Sequence, residues 1–389
     1  MQQNLIRQNA LGNFKQMIDA ITKDIMMLRY LNGYLNIASA PDENYARELM
    51  ELFTLGKGPG SQYTENDVKE AAKVLTGWQI NVTTYTSVFN SSRHSTVNKT
   101  FSSFFNNTII TGRTGATAGQ LELNDLLNMI FATQEVAKFI VRKFYRFFVY
   151  YTIDSNTETG VIEPLANIFR TNNYDIRPVL SALFKSEHFF DVLNQNCYIK
   201  NPADHIIGSL REMNTVFPVL TDWDTNYGMW NFFYSSMVNT GMNLHDPPNV
   251  AGMPAYYQEP LYHEIWINSD SLPKRNQFTD TMSNNGFTRN GQRVNFNFVN
   301  YVQQFSNPGN PNDLIDDALK FIFRNQLSYE SKKTIKTQIL LSNQQWDYYW
   351  TNAWAAYISN PTTANFNIVN NRLKSLFQYF FNLAEYQLS

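Results

Sequence analysis

The sequence predicts a mostly α-helical protein, an irregular multi-helix fold with two long non-helical excursions at about 79–118 and 241–272. Apolar residues recur at three- and four-residue spacing along most of the 389-residue chain. Two blocks break that spacing, one rich in Thr, Ser and Asn, the other in Pro and Gly. At 43% hydrophobic residues, the chain can bury a large core. No internal repeat is evident, and 1–389 reads as a single helical domain with the excursions as insertions.

Residues 4–31 read as one long helix or two, with Leu11, Phe14, Met17, Ile18 and Ile21 on one face. Residues 42–55 form a short helix that stops at Gly56. Thr64 opens the next as N-cap, with Asp67 completing a variant capping box, and that helix stops at Gly77-Trp78. Helical spacing then vanishes. Alternation from Thr100 to Ile110 permits a short β-hairpin, and the whole stretch reads as an ordered excursion over a cleft or as a lid. Helices resume over about 120–150, with Leu126, Ile130, Val136, Ile140 and Phe144, then at 160–171, 175–186 and 201–214. Beyond the Pro/Gly block they are predicted at 291–305, 311–324, 328–341, 343–357 and 363–385.

Only 16% of residues are charged, against roughly 25% in ordinary soluble proteins. Aromatics make up 15%, with Phe 29 and Tyr 22. A surface made polar by amides and phenols suits an exported protein or contact with neutral polymers; a helical core packed with Phe accounts for the same numbers. The net charge of −2 and the lack of a basic block argue against a nucleic-acid partner. Cys197 is the single cysteine, which excludes an intrachain disulfide and a multi-cysteine metal site. The longest apolar run, Phe144–Tyr151, is too short for a transmembrane segment, and Met1–Ala10 lacks the pattern of a signal peptide.

On the 42–55 helix, Glu43–Arg47, Asn44–Glu48 and Arg47–Glu51 are i,i+4 pairs beside an apolar stripe. Exposed pairs of this kind are worth only about 0.3–0.5 kcal/mol each. So dense a set is either a brace, with Arg47 forking two carboxylates, or a site built from Asn44, Arg47, Glu48 and Glu51. The five histidines show no metal-protease spacing. His94 is a candidate partner of that site; His245-Asp246 and His263-Glu264 flank the Pro/Gly block, yet no metal and no cofactor is expected. The loop Asn249–Pro254, with Tyr256, Tyr257, Trp266 and Asn268, offers stacking faces and amide hydrogen bonds to a neutral ligand; a proline-braced plug is the alternative. Gly112-Arg113-Thr114-Gly115 lacks the ending of a phosphate loop, and no nucleophile elbow occurs.

Asp42–Gly56 followed by Tyr63–Trp78 resembles the bacterial family known as domain of unknown function 1800. Three later blocks resemble it too: Ala137-Lys138-Phe139-Ile140 through Phe148, Lys200-Asn201-Pro202 through Leu210-Arg211, and Pro247–Gly252 with Trp266-Ile267-Asn268-Ser269. Met253 stands where that family usually has Trp, and Ser95 follows His94 where Asp is common. Members usually begin earlier, so the chain reads as N-terminally truncated. The resemblance implies a periplasmic, cell-envelope or secreted setting and implies no reaction. The expected function is therefore that of an envelope-associated or exported binding or structural protein, engaging a carbohydrate-containing polymer or a protein partner. The alternative is a hydrolase whose site is assembled from the 42–55 helix and the 241–272 loop.

Overall fold

The computed structural model describes residues 2–219, 222–323 and 325–389. Where the sequence reading takes 1–389 as one helical domain, the chain clusters into two compact units, Met1–Phe190 and Asp191–Ser389. The described residues are 60% helical, about twice the ordinary share, with three small two-stranded antiparallel sheets among them.

In the first unit, the predicted 4–31 helix is divided into Gln2–Asn9, Phe14–Thr22 and Ile25–Tyr30. Asn13 accepts the Gln16 N–H, and Asp24 accepts those of Met26 and Met27. These local caps start new helices where apolar spacing alone runs through. The 42–55 helix begins as an α-helix, Asn44–Glu48, and widens into a π-turn, Leu49–Thr54. Leu55 and Gly56 both donate to Met50 O, and Gly56 takes φ +78°, which stops the helix. Ala46, Leu49 and Met50 are fully buried. The capping box forms as predicted: Thr64 N donates to Asp67 Oδ2 at 2.7 Å and Asp67 N to Thr64 Oγ1 at 3.2 Å, opening helix Glu65–Val74.

The first excursion is ordered. Trp78–Asn81 pairs with Thr86–Phe89, and Lys99–Thr100 pairs with Ile109–Ile110 before helix Ala118–Phe131 begins. Its backbone lies over the Glu65–Val74 helix, where Asp67 takes Ser102 N at 2.7 Å and Glu70 takes Thr100 N at 3.2 Å. Helices Gln134–Phe148, Glu163–Thr171 and Ile176–Phe184 complete this unit's core.

The second unit packs around helix Thr363–Asn382, whose Phe377, Phe380 and Phe381 are wholly buried. Phe298 stacks on Phe377 at 4.6 Å, so much of the aromatic content is core. The predicted 291–305 helix is only Phe298–Val302; before it, Phe287–Arg289 and Gln292–Val294 form a hairpin. Asn290 and Gly291, at φ 49° and 76°, make the two-residue turn that Asn-Gly favours. Two helices that the spacing does not announce, Trp223–Asn239 and Ser271–Asn284, flank the Pro/Gly block.

Gly77 joins the Glu65–Val74 helix to the first hairpin at φ +96°, and a Cβ there would lie 2.9 Å from Asn90 O. Gly77→Ala should therefore cost about 1–3 kcal/mol, read as a lowered urea midpoint for loss of the first unit's helical signal.

Candidate functional site

The charged face of the 42–55 segment resolves into ion pairs. Arg47 directs its fork at Glu65, Nη1 to Oε1 at 2.8 Å and Nη2 to Oε2 at 2.6 Å, and Nη2 also reaches Glu43 Oε2 at 3.1 Å. The bond to Glu65 holds the guanidinium above its ordinary pKa. The expected Arg47–Glu51 pair does not form, because the π-turn widens the helix after Glu48 and breaks the i,i+4 alignment. Glu51 instead pairs with Lys57 at 2.7 Å. The Asn44 amide donates to Leu31 O at 3.4 Å, not to Glu48. Burial, and then the charge of Glu51, push the Glu48 carboxyl up, against Lys57 and Arg47. In the same patch the Tyr63 hydroxyl is buried without a partner, and burial pushes its phenol up to about 12.

His94 does not join this patch. Its Nδ1 lies 2.8 Å from Thr76 O, and its Nε2 lies 3.1 Å from Glu122 Oε1. Glu122 Oε1 also accepts Arg113 N–H at 2.6 Å, and Oε2 accepts Lys99 Nζ at 2.5 Å. Lys99 donates again to Ser95 O at 2.6 Å. Burial pushes the Glu122 carboxyl up, but His94, Lys99 and the Arg113 N–H outweigh it and hold it below the ordinary value. Thr76, His94 and Glu122 have the order of a nucleophile, base and acid. Yet the Thr76 hydroxyl donates to Lys73 O at 2.7 Å, and Thr76 is wholly buried. The hydroxyl proton is committed and no substrate reaches it, so this is a brace.

The second predicted group lies in the other unit. His245 is exposed at φ 68°. Asp246 is exposed and accepts Asn243 Nδ2 at 2.9 Å. Asn249 Oδ1 accepts Ala251 N–H at 3.0 Å, and its Nδ2 donates to the Tyr257 hydroxyl at 2.6 Å. Trp266 is 5% exposed and packs with Met242 and Ala255. Asn268 Oδ1 accepts the N–H groups of Asp270 and Ser271, at the start of helix Ser271–Asn284. These residues do the work of turns, plug and cap. Among the described residues, no three His, Cys, Asp or Glu side chains converge as metal ligands.

An open face forms on helix Trp223–Asn239. At about 100° per residue, positions 223, 227, 230 and 234 fall within about 60° of one another. Trp223 is 57% exposed, Tyr227 61%, Trp230 39% and Tyr234 38%. Their rings form a stripe about 16 Å long at 1.5 Å rise per residue. Tyr227 lies 6.1 Å from Trp223 and 5.1 Å from Trp230, centre to centre. Another flank of the helix is covered by the hairpin: Phe232 stacks on Phe287 at 4.4 Å, and Asp224 pairs with Arg289 at 3.1 Å. Gly228 gives the Arg289 side chain room there, since a Cβ would lie 2.8 Å from its Nε. Beside Trp230 and Tyr234 runs a groove of about 500 Å³ towards helix Pro202–Glu212. Ile207, Leu210, Phe233 and Met237 supply its apolar lining, and Arg211, Asn214 and Thr215 its polar members.

The family described as "Protein of unknown function (DUF1800)" matches residues 1–388. The chain belongs to the DUF1800 family. Comparison with curated proteins and with solved structures gives no match.

In this DUF1800 chain the motif Lys200-Asn201-Pro202 starts a helix, with Asn201 Oδ1 accepting Asp204 N–H at 2.9 Å. Its Lys200 ammonium sits 3.9 Å from the Tyr386 ring centre and 3.5 Å from Glu212 Oε1. Sequence reasoning missed Lys99 and Glu122, although a glutamate preceding Leu123, Leu126, Leu127 and Ile130 on a helix's apolar side was a visible signal. It also missed the Trp223–Tyr234 stripe, whose four-three-four spacing was in plain sight. Glu122→Gln would leave the buried Lys99 ammonium without its counter-charge, costing about 3–5 kcal/mol. A depressed native pKa gives stability that is present above the unfolded value, about 4.3, and lost as pH falls through the lower native value. Denaturant titrations below pH 5 should show a shallower loss of stability in Glu122→Gln than in the parent.

Proposed function

We propose that this protein is a binding protein, and that its second unit holds a carbohydrate-containing polymer along the Trp223–Asn239 helix. The exposed stripe of Trp223, Tyr227, Trp230 and Tyr234 carries this reading. Sugar rings present flat C–H faces that stack on aromatic rings, and their hydroxyls bond to nearby amides and hydroxyls. The rings are spread along about 16 Å of one helix line and tilted by 35° and 73° to one another, an extent that suits successive units of a polymer better than a compact metabolite. The exported or envelope setting implied by the family resemblance is where such polymers are met, and we propose that setting too.

The hydrolase alternative draws on Glu48, whose carboxyl is pushed up beside Glu51. Its unpaired neighbour in that patch is the Tyr63 hydroxyl, which burial keeps protonated, and Arg47 and Lys57 are both engaged by carboxylates. Binding is therefore the better-supported reading.

Affinity electrophoresis of the full chain through gels containing soluble polysaccharides tests it. Trp230→Ala should weaken retention about tenfold, or about 1.4 kcal/mol, with unchanged circular dichroism. Equal mobility with and without every polymer in the panel sinks the reading.

A further inference from the structure

The groove beside the stripe holds a cation, Arg211, that no carboxylate among the described residues neutralises. Arg211 lies on helix Pro202–Glu212, is exposed, and has no carboxylate partner among the described residues. The neighbouring acids are engaged elsewhere. Glu212 accepts the Tyr386 hydroxyl at 3.1 Å and faces Lys200 at 3.5 Å. Asp246 is held by Asn243, which in turn accepts the Tyr234 hydroxyl. In the same lining, the Thr215 hydroxyl is buried with no hydrogen-bond partner. A hydroxyl kept from water without a partner is costly unless something arrives to meet it.

An arginine fork matches a carboxylate with two parallel hydrogen bonds, and it does so best beside apolar walls that limit water. Here the walls are Trp230 and Tyr234 on one side and Leu210 on another. The volume, about 500 Å³, is in the range of ordinary ligand pockets. We propose that Arg211 receives a carboxylate carried by the polymer, so that the ligand is an acidic polysaccharide of uronate type and not a neutral one. Thr215 meets a hydroxyl of the same sugar unit, and Trp230 and Tyr234 stack on its ring. This rests on the reading that the stripe binds a glycan, and it replaces the neutral ligand that composition suggests.

The test compares polygalacturonate, its fully methyl-esterified form and a neutral cellulose ether, each titrated against the full chain by calorimetry at fixed salt. A peptide with a free C-terminal carboxylate and its amidated twin form the control arm. Polygalacturonate should bind at least about tenfold more tightly than the ester, equivalent to about 1.4 kcal/mol. Arg211→Gln should bring affinity for polygalacturonate down to that for the ester, with an unchanged circular-dichroism spectrum showing that the variant is folded. Trp230→Ala should weaken both polymers. Equal affinity for acid and ester, or an acid preference that survives Arg211→Gln, overturns the inference while glycan binding stands. Binding of the free-carboxylate peptide alone, or no binding at all, overturns both.

Discussion

Glu122 is the point on which the first unit depends. Its two oxygens meet the Lys99 ammonium, the Arg113 N–H and the edge of His94, and it is fully buried. A charge sealed from water survives only when its lone pairs are met. Three chain segments are therefore fixed together: the end of helix Glu65–Val74 through Thr76, the excursion through His94 and Lys99, and helix Ala118–Phe131. Glu70 and Asp67 repeat the device about two and two and a half turns before Thr76, each taking an N–H from the 99–102 strand region. The forty-residue excursion is ordered because carboxylates below it receive its backbone donors. Phe101, Phe105 and Ile110 then close the layer from the apolar side.

The second unit solves a different problem, that of placing so many aromatic rings. Phe296, Phe298, Phe377 and Phe381 pack on one another in tilted and stacked pairs. The Trp223–Asn239 helix divides its rings by phase. Phe233 and Met237 turn into the core, Phe232 meets the hairpin, and the four rings of the stripe fall between solvent and groove. Composition cannot separate the inner set from the outer one, because both count as Phe, Tyr and Trp. Only helix phase does, and phase needs the helix to be recognised first. The run from Trp223 to Tyr234 carries rings on more than one face and polar residues between them, so its stripe stands out only once the helix is placed.

Legibility follows how local the cause is. The Thr64–Asp67 box and the stops at Gly56 and Gly77 were readable because each rests on a handful of consecutive residues. The Asn290-Gly291 turn was equally local, and the 3.6-residue spacing around it obscured it. The Glu43–Arg47 pair was readable from spacing, whereas the loss of Arg47–Glu51 was not, since the π-turn that separates them leaves no mark in the spacing. Arg47 reaching Glu65, eighteen residues on, is a tertiary fact with no mark in the local sequence. The same holds for Arg275, which is wholly buried and donates to Gln387 across more than a hundred residues. His94, a candidate partner of the 42–55 segment by sequence, faces Glu122 instead, on a helix beyond the excursion that local sequence does not connect to it.

Charge placement connects these structural points to function. In the first unit the cations around the charged patches are answered: Arg47 by Glu65, Lys57 by Glu51, Lys99 by Glu122 and Arg142 by Glu135 and Glu158. Structural ion-pair networks of this kind perturb pKa values without doing chemistry. The 42–55 segment is thus better understood as a brace whose dense charge anchors the first turn of the next helix. Arg211 differs because its guanidinium stands beside exposed rings and an unmet hydroxyl, with its neighbouring acids already taken. An unanswered charge next to unanswered apolar surface is the combination that a ligand completes. That argument moves the centre of interest from the segment that identifies the family to a helix that the spacing did not announce.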